Sequence, residues 1–198
     1  MLLHKVPFDW KQRAVLQGRG FHVDVGAFST PIQGGGVGTT ILIDEPEASI
    51  SVPTGTSILP IRIHVQCQVP ILAADSEESE ILLAVDIASA HAGDGTATAE
   101  TALPMYMGNG TSLCTCTSAT TSAITDPVLG WELAHKVKLG DYQGTPAAVM
   151  WTDLELLYTP SPLPVLVGPC ALYLYWGGTV AVTGFAQIEW LEYLTSDL

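Results

Sequence analysis

From about Thr39 onward the chain alternates apolar and polar positions in short runs broken by Gly and Pro. The clearest run is Pro60–Pro70, where Ile61, Ile63, Val65, Cys67 and Val69 alternate with Arg62, His64, Gln66 and Gln68. A period of two puts the five apolar side chains on one face of a strand and the polar ones on the other. The pattern predicts a long strand, Ile58–Val69, with that apolar face in the core. A one-residue slip would turn every side chain to the wrong side. No segment of comparable length shows a helical period.

The same reading predicts further strands. They are Phe21–Phe28, Thr40–Asp44, Ala48–Val52, the nearly all-apolar Ile81–Ala88, Thr96–Met107, Ser112–Thr121, Ala148–Tyr158, Ala171–Trp176 and Val180–Tyr193. Gly108-Asn109-Gly110 is a hairpin signal between two of them. Trp131–Leu139 reads as a short helix or another strand. Alternation in the last segment sets Phe185, Gln187, Glu189, Leu191 and Tyr193 against Ala186, Ile188, Trp190 and Glu192, with Trp190 as a core anchor. About eight to ten strands with connections of very uneven length predict an all-β, jelly-roll or Greek-key β-sandwich. There is no internal repeat, which argues against a propeller or solenoid. The expected organisation is an N-terminal arm, residues 1–20, followed by one β-sandwich domain, residues 21–198.

Length and composition agree with one domain that needs no staples: 198 residues, 47% hydrophobic and only 14% charged. A surface so poor in charge is either plain and neutral or covered by neighbours. The net charge of −13 is unevenly spread. Lys5, Lys11, Arg13 and Arg19 are opposed in the arm only by Asp9, so the arm carries +3 and the rest −16. An acidic body disfavours direct nucleic-acid contact. The arm, with Trp10 as an anchor beside Lys5, Lys11, Arg13 and Arg19, is a candidate assembly element for an acidic neighbour or an anionic membrane; a solvated tail is the plainer reading. MLLHKVPFDWKQR has no apolar core or cleavage site of a signal peptide, so a cytosolic origin is expected.

Chemical motifs are few. Pro31–Gly38 (PIQGGGVG) lacks the spacing of a dinucleotide or phosphate loop. The four cysteines, Cys67, Cys114, Cys116 and Cys170, have no zinc spacing; Cys67 and Cys170 read as buried apolar residues, and Cys114 and Cys116 share a strand face. Asp75, Glu77, Glu78 and Glu80 form an acidic loop, a solvated surface or a calcium site without the EF-hand pattern. Asp153 and Glu155 fall on one face of a strand, with Glu189 a further carboxylate, the raw material of a glycosidase pair. No serine-hydrolase elbow is present. No catalytic residue, cofactor or metal is therefore expected.

The segment PTGTSILPIRIHV, a central Thr/Ser-rich hairpin and the terminal VTGFAQIEWLEY resemble jelly-roll structural proteins of viruses, including phage virion proteins. The ending G-x-x-x-I-E-W-x-E is carried by Gly184, Ile188, Glu189, Trp190 and Glu192. The resemblance implies a non-catalytic virion structural protein, a self-assembling capsid or capsid-associated subunit put together in the host cytoplasm. Its partners would be copies of itself and other virion proteins. The acidic body departs from capsid proteins that hold the genome on a basic inner face. The alternative is a carbohydrate-binding, lectin-like β-sandwich or receptor-binding head, in which exposed aromatic residues stack on sugars.

Overall fold

The computed structural model describes residues 9–35, 41–71, 78–87, 96–108, 110–120, 124, 127–139, 150–179 and 181–198. A short helix, α1 (Trp10–Leu16), precedes β1 (Gly20–Val25) and the two-residue β2 (Ile32–Gln33). There follow β3 (Ala48–Val52), β4 (Thr56–Ile71), β5 (Glu78–Asp86), β6 (Thr98–Glu100), β7 (Leu103–Pro104) and β8 (Thr115–Ser118). The chain continues through β9 (Leu129–Leu139), β10 (Met150–Tyr158), β11 (Leu166–Val167), β12 (Cys170–Gly178) and β13 (Thr183–Leu194).

The long strands pair as nested ribbons. β1 pairs with β13, β3 with β12, β4 with β10, and β5 with β9, all antiparallel. Two further pairings, β4 with β13 and β5 with β12, join the ribbons into sheets. The first sheet runs β10-β4-β13-β1-β7 and the second β6-β8-β3-β12-β5-β9. An outermost strand pairing with the last, and each inner strand with its mirror partner, is the wiring of a jelly roll. The connection from β5 to β9 carries β6, β7 and β8 to the opposite edge, where they extend both sheets.

The core lies between the sheets and contains Trp176 and Trp190, both 0% exposed. Phe21 stacks on Trp190 at 6.1 Å between ring centroids. A second apolar cluster lies outside the second sheet. There Ala171, Tyr173 and Tyr175 pack with Ile124, flanked by Ile41, Leu82 and Leu129. The Tyr175 hydroxyl donates to the Ile43 carbonyl at 2.7 Å. With the core on one side and these returning segments on the other, β12 is buried along its whole length. That is why ALYLYW is an unbroken apolar run.

Several expectations change in detail. Thr40 lies outside the described residues, and 41–45 form a turn rather than a strand. Thr96–Met107 is two strands in different sheets: β6 pairs with β8, and β7 with β1. Asn109, at the centre of the hairpin signal, lies outside the described residues. Trp131–Leu139 is strand, paired with β5 along its length. In β4, Ile63, Val65, Cys67 and Val69 are buried as expected, but Ile61 is only half-buried. Opposite it the register shifts: Trp190 faces Pro60 and Glu189 faces Arg62, leaving Ile61 as the extra residue of a β-bulge. The bulge lets both Ile58 and Ile63 point inward although they are five residues apart.

Residues 9–20 of the expected arm are described, and they pack on the sandwich. Asp9 caps α1, its Oδ1 accepting from Gln12 N at 2.7 Å, and Ala14 is buried against the body. Gly18, at φ +79°, turns the chain out of the helix, and Arg19 N bonds back to the Ala14 carbonyl at 3.0 Å.

Candidate functional surfaces

Among the described residues, segments of the chain cover the outer side of the second sheet, whereas the outer side of the first sheet is open. Three strands there bring polar residues into cross-strand rows. Asp153, Gln68 and Thr183 form one row, and Glu155, Gln66 and Phe185 the next, about 7 Å away. A third row holds Leu157, His64 and Gln187. Beyond it Arg62 lies opposite Glu189.

Ion pairs and hydrogen bonds organise the far end of this face. The Arg62 guanidinium donates to Glu189 at 2.8 Å and to Gln187 at 2.6 Å. His64 Nε2 and Glu155 Oε1 share a hydrogen bond of 2.7 Å, and the Gln187 amide donates to Asp24 at 3.0 Å. At the edge, Lys138 Nζ donates to the Asp153 carbonyl at 3.0 Å and Lys136 Nζ to the Glu155 carbonyl. These two lysines tie β9 of one sheet to β10 of the other. The three carboxylates singled out in the sequence, Asp153, Glu155 and Glu189, do share one face. Glu189 is held in an ion pair with Arg62, and Glu155 in a hydrogen bond with His64.

At the near end a cleft of about 230 Å³ opens between this face and the loop after β1. Ala27 and Thr30 exchange backbone hydrogen bonds of 3.0 and 3.2 Å, which makes 27–30 a tight two-residue hairpin with Phe28 at its tip. Phe28, Pro31 and Phe185 wall the cleft, and Gln66, Gln68 and Asp153 line its polar side.

The opposite edge of the first sheet, beside β7, is apolar. Val15 of α1 and Met105 meet over Gly20, where a Cβ would stand 2.7 Å from Val15 and 3.1 Å from Met105. Around this junction Trp10, Leu16, Leu103 and Tyr106 are about half exposed, and Met107 is 92% exposed. A second cleft, about 370 Å³, continues the edge and has Leu113 and Leu194 at its rim. Of the arm residues singled out in the sequence, Lys5 lies outside the described residues. Trp10, Lys11 and Arg13 are on α1. Arg19 is docked within the chain: its guanidinium lies 4.5 Å from the Tyr193 ring centroid and 3.3 Å from Asp197. It therefore fixes the N-terminal segment to β13 instead of reaching outward.

Two buried carboxyl groups act as staples. Glu47 accepts from Gly35 N at 2.6 Å and from Trp176 N at 2.8 Å, joining the loop after β2 to β12. Burial raises its pKa from 4.5 to about 8, against the lowering effect of those backbone donors. Glu192 accepts from Ser112 Oγ at 2.6 Å and Leu113 N at 2.9 Å, holding the loop before β8. Alternation places Glu192 on the core side beside Trp190. For Glu47 the only sequence signal is its position between Pro46 and a wholly buried strand.

All four cysteines are buried free thiols. Desolvation raises each pKa, to about 12 for Cys116 and about 11 for Cys170, so none is a ready nucleophile at neutral pH. Of the acidic loop, Asp75 and Glu77 lie outside the described residues. Glu78 and Glu80 belong to β5, and Glu80 bonds His135 at 2.8 Å. Among the described residues no three His, Cys, Asp or Glu side chains form a metal-sized group. No protein-family model matches the chain, and no curated protein matches it. Among the described residues no helix is long and apolar enough to cross a membrane.

Proposed function

We propose that the protein is a non-catalytic structural subunit that assembles with copies of itself, as a capsid or capsid-associated protein of a virion. The observation that carries self-association is the apolar edge beside β7. Leu103 lies on a two-residue edge strand, with Tyr106 and Met107 just after it and Trp10 and Leu16 on α1, and a subunit that stayed alone would leave them in water. Aromatic residues and Met are the side chains that enrich the centre of protein interfaces. The jelly-roll wiring suits this role but also serves lectins and enzymes, so the fold alone does not select it. The step from self-association to a virion rests on the resemblance of the terminal strand.

In this reading the α1 edge meets a neighbouring copy or another virion protein, with Lys11 and Arg13 complementing an acidic partner or an anionic membrane. The acidic body stays clear of nucleic acid. A specific contact would bury about 1,200–2,000 Å² in total. Repulsion between subunits of charge −13 opposes it, and salt that screens this charge should favour it.

Sedimentation velocity over a range of concentrations tests the reading. The wild-type protein should form discrete oligomers, more readily at 0.5 M than at 0.05 M salt, because the screening length is above ~10 Å at the lower concentration and well below it at the higher. Changing Met107 and Leu113 together to Lys should yield a folded monomer. A wild-type protein that remains monomeric under all these conditions would overturn it.

A further inference from the structure

We infer that the cleft at the near end of the open sheet face binds one neutral sugar unit of a glycan. This goes beyond assembly and does not depend on it, since the cleft and the apolar edge are different surfaces. The carrying observation is a combination of groups. Phe28 is 77% exposed although it is a large aromatic side chain, and a tight hairpin fixes it over the cleft instead of burying it. Phe185 stands beside it on β13, so the wall offers aromatic faces to an apolar ring surface.

The other side of the cleft offers hydrogen bonds. Gln66, Gln68 and Asp153 line the cleft, and among the described residues neither glutamine side chain has a hydrogen-bond partner. Each glutamine amide supplies both donors and acceptors, and Asp153 supplies acceptors alone. A sugar presents that same mixture, hydroxyl groups that donate and accept around a ring with apolar C–H faces. An aromatic wall with a few placed polar groups is the general form of a small-molecule site.

Charge narrows the ligand class. Asp153 and Glu155 repel an anionic sugar such as a sialic acid, and so does a body of −13. Of the two carboxylates at the cleft, Glu155 is already engaged by His64, which leaves Asp153 as an acceptor. The donors and acceptors of Gln66 and Gln68 beside an aromatic wall match a neutral ring of hydroxyl groups. The volume, about 230 Å³, is smaller than the ~300–1,000 Å³ of drug-sized sites and suits a single unit with the rest of the glycan outside.

The test uses the full chain on an array of neutral and sialylated glycans, followed by saturation-transfer NMR with methyl galactoside, methyl glucoside, methyl mannoside and N-acetylglucosamine. Binding of a free monosaccharide should be weak, with Kd on the order of 1 mM. Phe28→Ala and Gln68→Ala should each weaken it tenfold or more while circular dichroism and the melting temperature stay unchanged. Asp24→Ala, on the same sheet face but outside the cleft, should leave it as in the wild type. The inference is overturned by retention of no neutral glycan, by a preference for sialylated ones, or by binding that Phe28→Ala and Gln68→Ala do not change.

Discussion

Gly34 lies flat against the backbone of Trp176: a Cβ at Gly34 would stand 2.0 Å from the Trp176 carbonyl oxygen. The same tryptophan donates its indole N–H to the Ile32 carbonyl at 3.1 Å. Since β2 pairs with β13 in the first sheet and Trp176 is in the second, this loop stitches the two sheets together. Gly34→Ala should therefore cost about 3 kcal/mol or more, because backbone on both sides has nowhere to move. Gly55→Ala is the comparison. Its site is open to solvent and strained only by φ +85°, so a loss of about 1 kcal/mol is expected. Urea unfolding of both variants checks this; equal losses would show that the close approach is not a constraint.

Glu47 should make stability depend on pH. Its pKa is 4.5 unfolded and about 8 folded, so the folded state holds the proton more tightly. The contribution is fully present below pH 4.5 and is lost as pH rises toward 8. The total change is on the order of 5 kcal/mol. Glu47→Gln is neutral at every pH and should lack this slope, though it loses part of the staple. Between pH 5 and 8 the unfolding midpoint of the wild type should fall relative to the variant. A wild-type midpoint that rises against Glu47→Gln over this interval would contradict the assignment.

Arg62 and Glu189 should be coupled. Removing the guanidinium in Arg62→Met leaves Glu189, only 18% exposed, facing Gln187 without its cation, at a cost of about 1 kcal/mol. Adding Glu189→Gln should recover most of the loss. A double-mutant cycle in urea measures the coupling; strict additivity would mean that the pair contributes nothing.

Much of the layout was legible because a buried strand face writes itself as alternation. The Val65, Cys67 and Val69 face, the inward Trp190 and the continuous apolar run of β12 all follow from that rule. Ile61 did not, since a bulge is set by the register of the partner strand and not by local pattern. The turn at 41–45 carries a strand-like pattern because Ile41 packs in the second apolar cluster and Ile43 accepts from Tyr175, without ladder pairing. The cleft was hidden for a similar reason. Gln66, Gln68 and Asp153 read as ordinary wet faces of two strands, and only the strand register sets them in adjoining rows beneath Phe28, which is far from all three in sequence. Arg19 was legible as a cation, but its engagement by Tyr193 and Asp197 depends on contacts across nearly the whole chain.

The pairing of β1 with β13 has a temporal side. Gly20 lies opposite Leu191, and Arg19 finds Tyr193 and Asp197 only when both have been translated. A nascent chain on the ribosome cannot complete the first sheet, nor fix α1 beside β7, until Thr183–Leu194 has emerged. Such distant pairing also makes folding slow. A surface built from segments so far apart in sequence is an interlock: the α1 edge is set in place only after Thr183–Leu194 has closed the first sheet.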